Sequence, residues 1–156
     1  MDSSAALRSD NTSKGKIFQL AVKELLEKLY NKEFLLECPV NIGVPPKAHK
    51  FDIVSSDKTV VVECKCYSWT SGGNNPSAKL STANEALLYM SFLPDNCEKL
   101  LFICHADKIH KKEESLAQYY VRTYGSFLRN VKVMEYDMET QQLLPLRGKL
   151  NCSNYG

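Results

Sequence analysis

The chain has 156 residues, 44% of them hydrophobic and 24% charged, which suits one domain with a buried core and argues against bulk disorder. Lysine and arginine number 20 against 18 aspartate and glutamate, a formal charge of +2, so binding through a polybasic tail is excluded and any polyanion site must be local. No apolar run reaches the ~18–20 residues of a membrane span, and the opening Met1-Asp2-Ser3-Ser4-Ala5-Ala6 lacks the basic and apolar regions of an export signal.

Six cysteines at irregular spacing are therefore expected as reduced thiols in a cytoplasmic protein with no membrane partner. Residues 1–13, rich in Ser, Asp and Asn and without periodicity, predict a disordered leader. A single domain follows over 14–150, with 151–156 as a tail. From Lys14 to Tyr30, Ile17, Phe18, Ala21, Val22, Leu25, Leu26 and Leu29 recur at helical spacing. Phe34 to Val40 reads as a strand entering the turn-rich stretch 41–46. Lys50–Val54 and Thr59–Tyr67 read as two strands of a hairpin. Ser68–Pro76 is a Gly- and Asn-rich loop, and Ser77–Leu93 is helical in pattern until Pro94 ends it. Leu100–Cys104 has the continuous apolar character of a buried strand. Residues 111–128 predict another helix, Val131–Tyr136 a closing strand, and Leu143–Leu146 a further edge segment. The order α-β-β-β-α-β-α-β predicts an α/β fold whose mixed sheet is antiparallel early and parallel later, flanked by helices.

The segment Val60-Val61-Val62-Glu63-Cys64-Lys65-Cys66 is apolar except for two charges spaced two apart. Period two places Glu63 and Lys65 on one face of the sheet, with Val60, Val62, Cys64 and Cys66 on the other. Charges in so apolar a strand are costly to desolvate unless paired or bound to a metal. The preceding strand carries its own acid, Asp52, between Phe51 and Ile53. With Ser56-Asp57 as a two-residue turn, Asp52 lies opposite Val61 and diagonal to Glu63, on the same face with Cβ atoms roughly 7 Å apart. An odd loop or a bulge would turn it to the other face. Two carboxylates with waters suit Mg²⁺ or Mn²⁺. A cation held this way neutralises a phosphodiester oxygen and lowers the pKa of a bound water. An ammonium at Lys65 would orient that water and offset charge in the transition state. In-line hydrolysis is the reaction such a set supports.

These residues resemble the PD-(D/E)XK nuclease superfamily, the fold of many restriction endonucleases and Holliday-junction resolvases. The likeness rests on Phe51-Asp52 and Glu63-Cys64-Lys65 on consecutive strands after an N-terminal helix, and by element order it covers roughly residues 14–136. It implies a restriction-endonuclease-like mixed sheet in which Asp52 and Glu63 bind the metal, the Cys64 carbonyl completes the protein ligands, and Lys65 sits beside the attacking water. Phe51 stands where the family's Pro is often found. Gln19 stands where the first helix often carries a Glu, which favours one metal over two. Ser77, Lys79 and Asn84 are supporting candidates on the helix after the catalytic strand.

Blander readings stand beside these. Asp52, Glu63 and Lys65 could form a solvated sheet face with one cross-strand salt bridge, which Lys50 could share. Cys64 and Cys66 could be half of a metal site with Cys104, His105 and His110, against the simpler reading of core thiols. His49 is a general base or a solvated loop residue. Lys111, Lys112 and Arg122 are phosphate contacts or a wet helix face, and Trp69 stacks on a base or packs over the sheet edge. The sequence thus predicts an Mg²⁺- or Mn²⁺-dependent endonuclease acting on DNA, with RNA an open alternative. It would work as a homodimer or as a subunit of a larger DNA-processing or defence system. The competing prediction is a non-catalytic member of the same fold that binds nucleic acid or protein.

Overall fold

A computed structural model describes residues 3–68, 72, 76–106 and 113–152, with side chains from Ser13 onward. Among them α1 (Ser3–Tyr30) leads into β1 (Phe34–Ile42), β2 (Lys47–Ser55) and β3 (Val60–Lys65). These are followed by α2 (Ser77–Met90), β4 (Glu98–Cys104), α3 (Leu116–Tyr124) with a 3₁₀ turn at Gly125–Phe127, β5 (Lys132–Asp137) and β6 (Gln142–Arg147). The strands form one six-stranded open sheet in chain order. β1, β2 and β3 are antiparallel, β3, β4 and β5 are parallel, and β6 returns antiparallel to β5. No helix among the described residues is long and apolar enough to cross a membrane.

The periodicities explain the layers. In α1, Phe18, Val22 and Leu26 are fully buried and meet Ile53, Val60, Val62, Leu100, Phe102 and Met134 on one face of the sheet. Leu80, Ala83 and Met90 of α2 join Leu116, Ala117 and Tyr120 of α3 on the other face, against Val54, Val61, Leu101, Ile103 and Val133. β4 is central, and all seven of its residues are buried. Each large apolar side chain so covered contributes about 1.5–3 kcal/mol. Ser115 caps α3 in a capping box with Gln118, each side chain bonding the other's backbone N–H.

Several expected boundaries move. The helix expected from Lys14 begins at Ser3 as α1. α2 ends at Met90 and α3 starts at Leu116, both shorter than their patterns. The tail expected from residue 151 is anchored at its start: the Asn151 N–H donates to Glu98 Oε2 at 2.8 Å. The same buried carboxyl accepts from Tyr30 Oη and, at 2.7 Å, from Lys132 Nζ. One acid thereby ties the end of α1 to β4, β5 and the C-terminal segment.

Candidate active site

The hairpin that carries the acids is set by its turn. β2 and β3 pair as Ile53 with Val62 and Val54 with Val61. The connection is Ser56-Asp57-Lys58-Thr59 rather than Ser56-Asp57 alone. Ser55 Oγ, fully buried, accepts from the N–H groups of Thr59 at 3.1 Å and Val60 at 2.9 Å. Asp57 accepts from the hydroxyls of Ser55 and Thr59, both at 2.7 Å, and from Lys32 Nζ at 3.0 Å. These three donors hold its carboxyl well below the ordinary range. The longer loop keeps even parity, so the register sets Asp52 directly across from Glu63 instead of diagonal to it.

On its other side Asp52 meets an irregularity. Leu36 pairs with Ile53 and Cys38 with Phe51, while Glu37, opposite Asp52, leaves the ladder and takes φ 49°. Phe51 packs under α2 and α3 whereas Ile53 packs under α1, so side-chain alternation breaks at Asp52. The residue is fixed twice nonetheless. Its carbonyl accepts from Gln19 Nε2 at 2.9 Å, and its Oδ2 accepts from the Cys64 backbone N–H at 2.8 Å.

Glu63 is only 6% exposed, with its carboxyl against that of Asp52. Burial first, and then the Asp52 charge beside it, push the Glu63 carboxyl up to about 8, with Lys65 opposing in part. Oε1 of Glu63 is buried and has no hydrogen-bond partner. His49 Nε2 stands 4.0 Å from that oxygen. The imidazole is clamped by stacking on Tyr89 of α2, with ring centroids 3.8 Å apart, and by an edge contact with Phe51. Burial lowers its pKa. His49 joins the site because β2 begins at Lys47, three residues before the apolar alternation does; its signal in the sequence is its even spacing from Phe51.

Lys65, half-buried at the end of β3, faces a cleft of about 340 Å³ that Lys79 and Thr82 of α2 also line. Tyr67 Oη and Thr82 Oγ1, 3.1 Å apart, tie that helix to the strand end. Gln19 therefore reaches Asp52 through the main chain, and Lys79 shares a cleft with Lys65. Asn84 is elsewhere: its Oδ1 accepts from Tyr120 Oη at 2.9 Å, joining α2 to α3. Ser77 and Lys50 are exposed. Arg122 is turned onto Glu114, with Nη2 to Oε1 at 2.6 Å. Trp69, His110, Lys111 and Lys112 lie outside the described residues.

Among the described residues no three His, Cys, Asp or Glu side chains converge to hold a metal, which removes the Cys-based arrangement for those of its members that are described. Cys64 and Cys66 pack against the α1 side of the core, as the strand period predicts. Two adjacent carboxyls, one with an orphaned oxygen, are oxygen donors of the kind that hard divalent cations prefer.

Compared with known proteins, the sequence matches no family model, no curated protein and no solved structure. The chemistry has to be read from these side chains.

Proposed function

We propose that the protein is a metal-dependent endonuclease that hydrolyses DNA phosphodiester bonds, built on a restriction-endonuclease-like sheet of the PD-(D/E)XK type. The observation that carries this reading is the pair of facing carboxyls, one buried beside the other with an oxygen left without a donor. Like charges pressed together away from water are unfavourable, and a divalent cation between them relieves the repulsion. A solvated, salt-bridged face would instead leave the acids exposed and matched.

In this reading Asp52 and Glu63 hold Mg²⁺ or Mn²⁺, and Cys64 offers its carbonyl. The hydrogen bond from the Cys64 N–H to Asp52 fixes the orientation of that peptide. When bound there, such a cation would supply charge neutralisation at the phosphodiester and a more acidic water. Lys65, on the same face two residues beyond Glu63, orients the water and meets the charge that builds on the phosphoryl oxygens. Lys79, across the cleft, contacts the adjoining phosphate. Gln19 keeps the Asp52 main chain in place. Two copies acting together would cut both strands of a duplex.

Supercoiled plasmid incubated with Mn²⁺ tests the proposal. The parent nicks, Asp52→Ala does not, and Lys65→Ala is slower by about 10²–10³, the usual effect of deleting one transition-state donor. Equal nicking by all three proteins, or none by the parent alongside retained DNA binding, refutes it.

A further inference from the structure

A second polar cavity lies further across the sheet, at the carboxyl ends of β4 and β5. Lys65 pairs with Ile103, and Ile103 pairs with Glu135. Ile103 and Val133 both pack under α2 and α3, and period two carries Glu135 to that face as well. Lys65, Ile103 and Glu135 therefore stand in line on three neighbouring strands, about 10 Å from first to last at ~4.8 Å per strand. Glu135 is 5% exposed and lines a cavity of about 230 Å³ with Asp137, His105, Gln118, Gln142 and Leu144.

Glu135 is the unusual member. Its Oε2 is buried without a hydrogen-bond partner, and His105 Nδ1 stands 3.5 Å from it. Leaving a buried carboxyl oxygen without a donor is costly. Gln118 has already committed its carbonyl oxygen to the Ser115 N–H at 2.8 Å, so its amide nitrogen is the part left to donate. The cavity thus offers acidic acceptors, an amide donor and one apolar wall at Leu144.

We infer that this cavity binds a nucleobase bearing an exocyclic amino group, from the strand whose phosphate lies at Lys65. The amino group donates to Glu135, and the Gln118 amide donates to the neighbouring ring nitrogen or carbonyl. Leu144 covers the ring face. Cytosine meets this pattern with its N4 amine and N3 acceptor. Thymine presents one ring N–H between two carbonyl oxygens, which a carboxylate repels. A three-ligand metal site is not the occupant, because no such cluster exists among the described residues. The position about 10 Å from Lys65, in the crevice at the ends of parallel strands where α/β sheets bind their ligands, favours a base of the same strand over a basic peptide. The inference rests on the nuclease reading for its ligand class, but its test does not depend on cleavage.

The experiment is fluorescence anisotropy with short single strands of oligo-dC and oligo-dT in EDTA, which prevents hydrolysis. The parent prefers oligo-dC by about ten- to hundredfold, the usual discrimination of one well-made base contact. Glu135→Gln, which replaces an acceptor oxygen by a donor at constant shape, brings the ratio close to one. Leu144→Trp, at a half-exposed edge position that tolerates bulk, fills the cavity and does the same. Equal binding of the two strands by the parent overturns the inference. So does no binding of either, or a ratio unchanged in both variants. A parent that prefers oligo-dC yet never nicks plasmid refutes the nuclease reading and leaves the cavity assignment standing. Nicking without base preference does the reverse.

Discussion

Glu63→Gln separates the two properties of the acid pair, its charge and its shape. A free glutamate has a pKa near 4.5, and Glu63 in the fold is pushed up to about 8, by burial first and by Asp52 second. Between these values the unfolded chain has released the proton while the folded chain keeps it. The unfolded state then binds fewer protons, so stability falls as pH rises, by about 1.4 kcal/mol per pH unit. Over the whole interval this amounts to about 5 kcal/mol. For a chain of this size, 1 kcal/mol moves Tm by about 2–4 °C, so the loss is on the order of 10 °C. The amide of the variant has no proton to lose, so Glu63→Gln lacks this slope and gains on the parent steadily from pH 5 to pH 8. Other groups titrate in the same range. His49, lowered by burial, adds stability as pH rises toward 6.5, and Cys66, brought down to about 7 by the neighbouring Cys104 thiol, adds it above that. Both are present in parent and variant, so the difference between their curves reports the Glu63 carboxyl together with its effect on the adjoining Asp52 and His49. The lowered acids Asp57 and Glu27 act only below the window. The assay is thermal melting by circular dichroism at half-unit pH steps. Parallel parent and variant curves across pH 5–8 would refute a buried, crowded Glu63.

Two further outcomes test the supports of the site. Ser55→Ala strips the buried acceptor from the Thr59 and Val60 N–H groups and should cost about 1–3 kcal/mol, read as a lower urea midpoint at unchanged slope; an unaltered midpoint would show that water replaces the hydroxyl. Glu37→Gly relieves a left-handed residue opposite Asp52 and should leave the protein as stable or up to about 1 kcal/mol more so, whereas Glu37→Val should lose at least that much. Equal midpoints for the two variants would mean that φ 49° carries no strain.

The face assignments are legible because a strand encodes them locally. Val60, Val62, Cys64 and Cys66 fall on the α1 side, with Val61 and Glu63 opposite, as period two requires. The α1 stripe is equally plain, since Phe18, Val22 and Leu26 repeat at four. Register is not, because the sequence admits either a two-residue turn or the longer loop, and only the side chains of Ser55, Asp57 and Thr59 together select the latter. Glu37 gives no sign of its positive φ, since no glycine marks it. Asn84 looks available on the helix after β3, but its partner, Tyr120, comes from a later element that no local pattern connects to it. Glu135 is hidden for a related reason. A lone acid in Val-Met-Glu-Tyr reads as an exposed strand position, and only the neighbouring strands and α3 bury it.

The contact that locks Asp52 to β3 spans a sequence separation of 12, against 68 for the contact between Tyr30 and Glu98. The entropic penalty for closing a segment rises only logarithmically with its length, yet the shorter one is also enclosed by a single hairpin. Damage in the core of β5 or β6, neither of which pairs with β3, would therefore reduce how many molecules are native without re-spacing the acids in those that are. Core variants there, away from Glu135 and Leu144, should yield less folded protein from the same expression, while each folded molecule keeps the parental arrangement of Asp52 and Glu63.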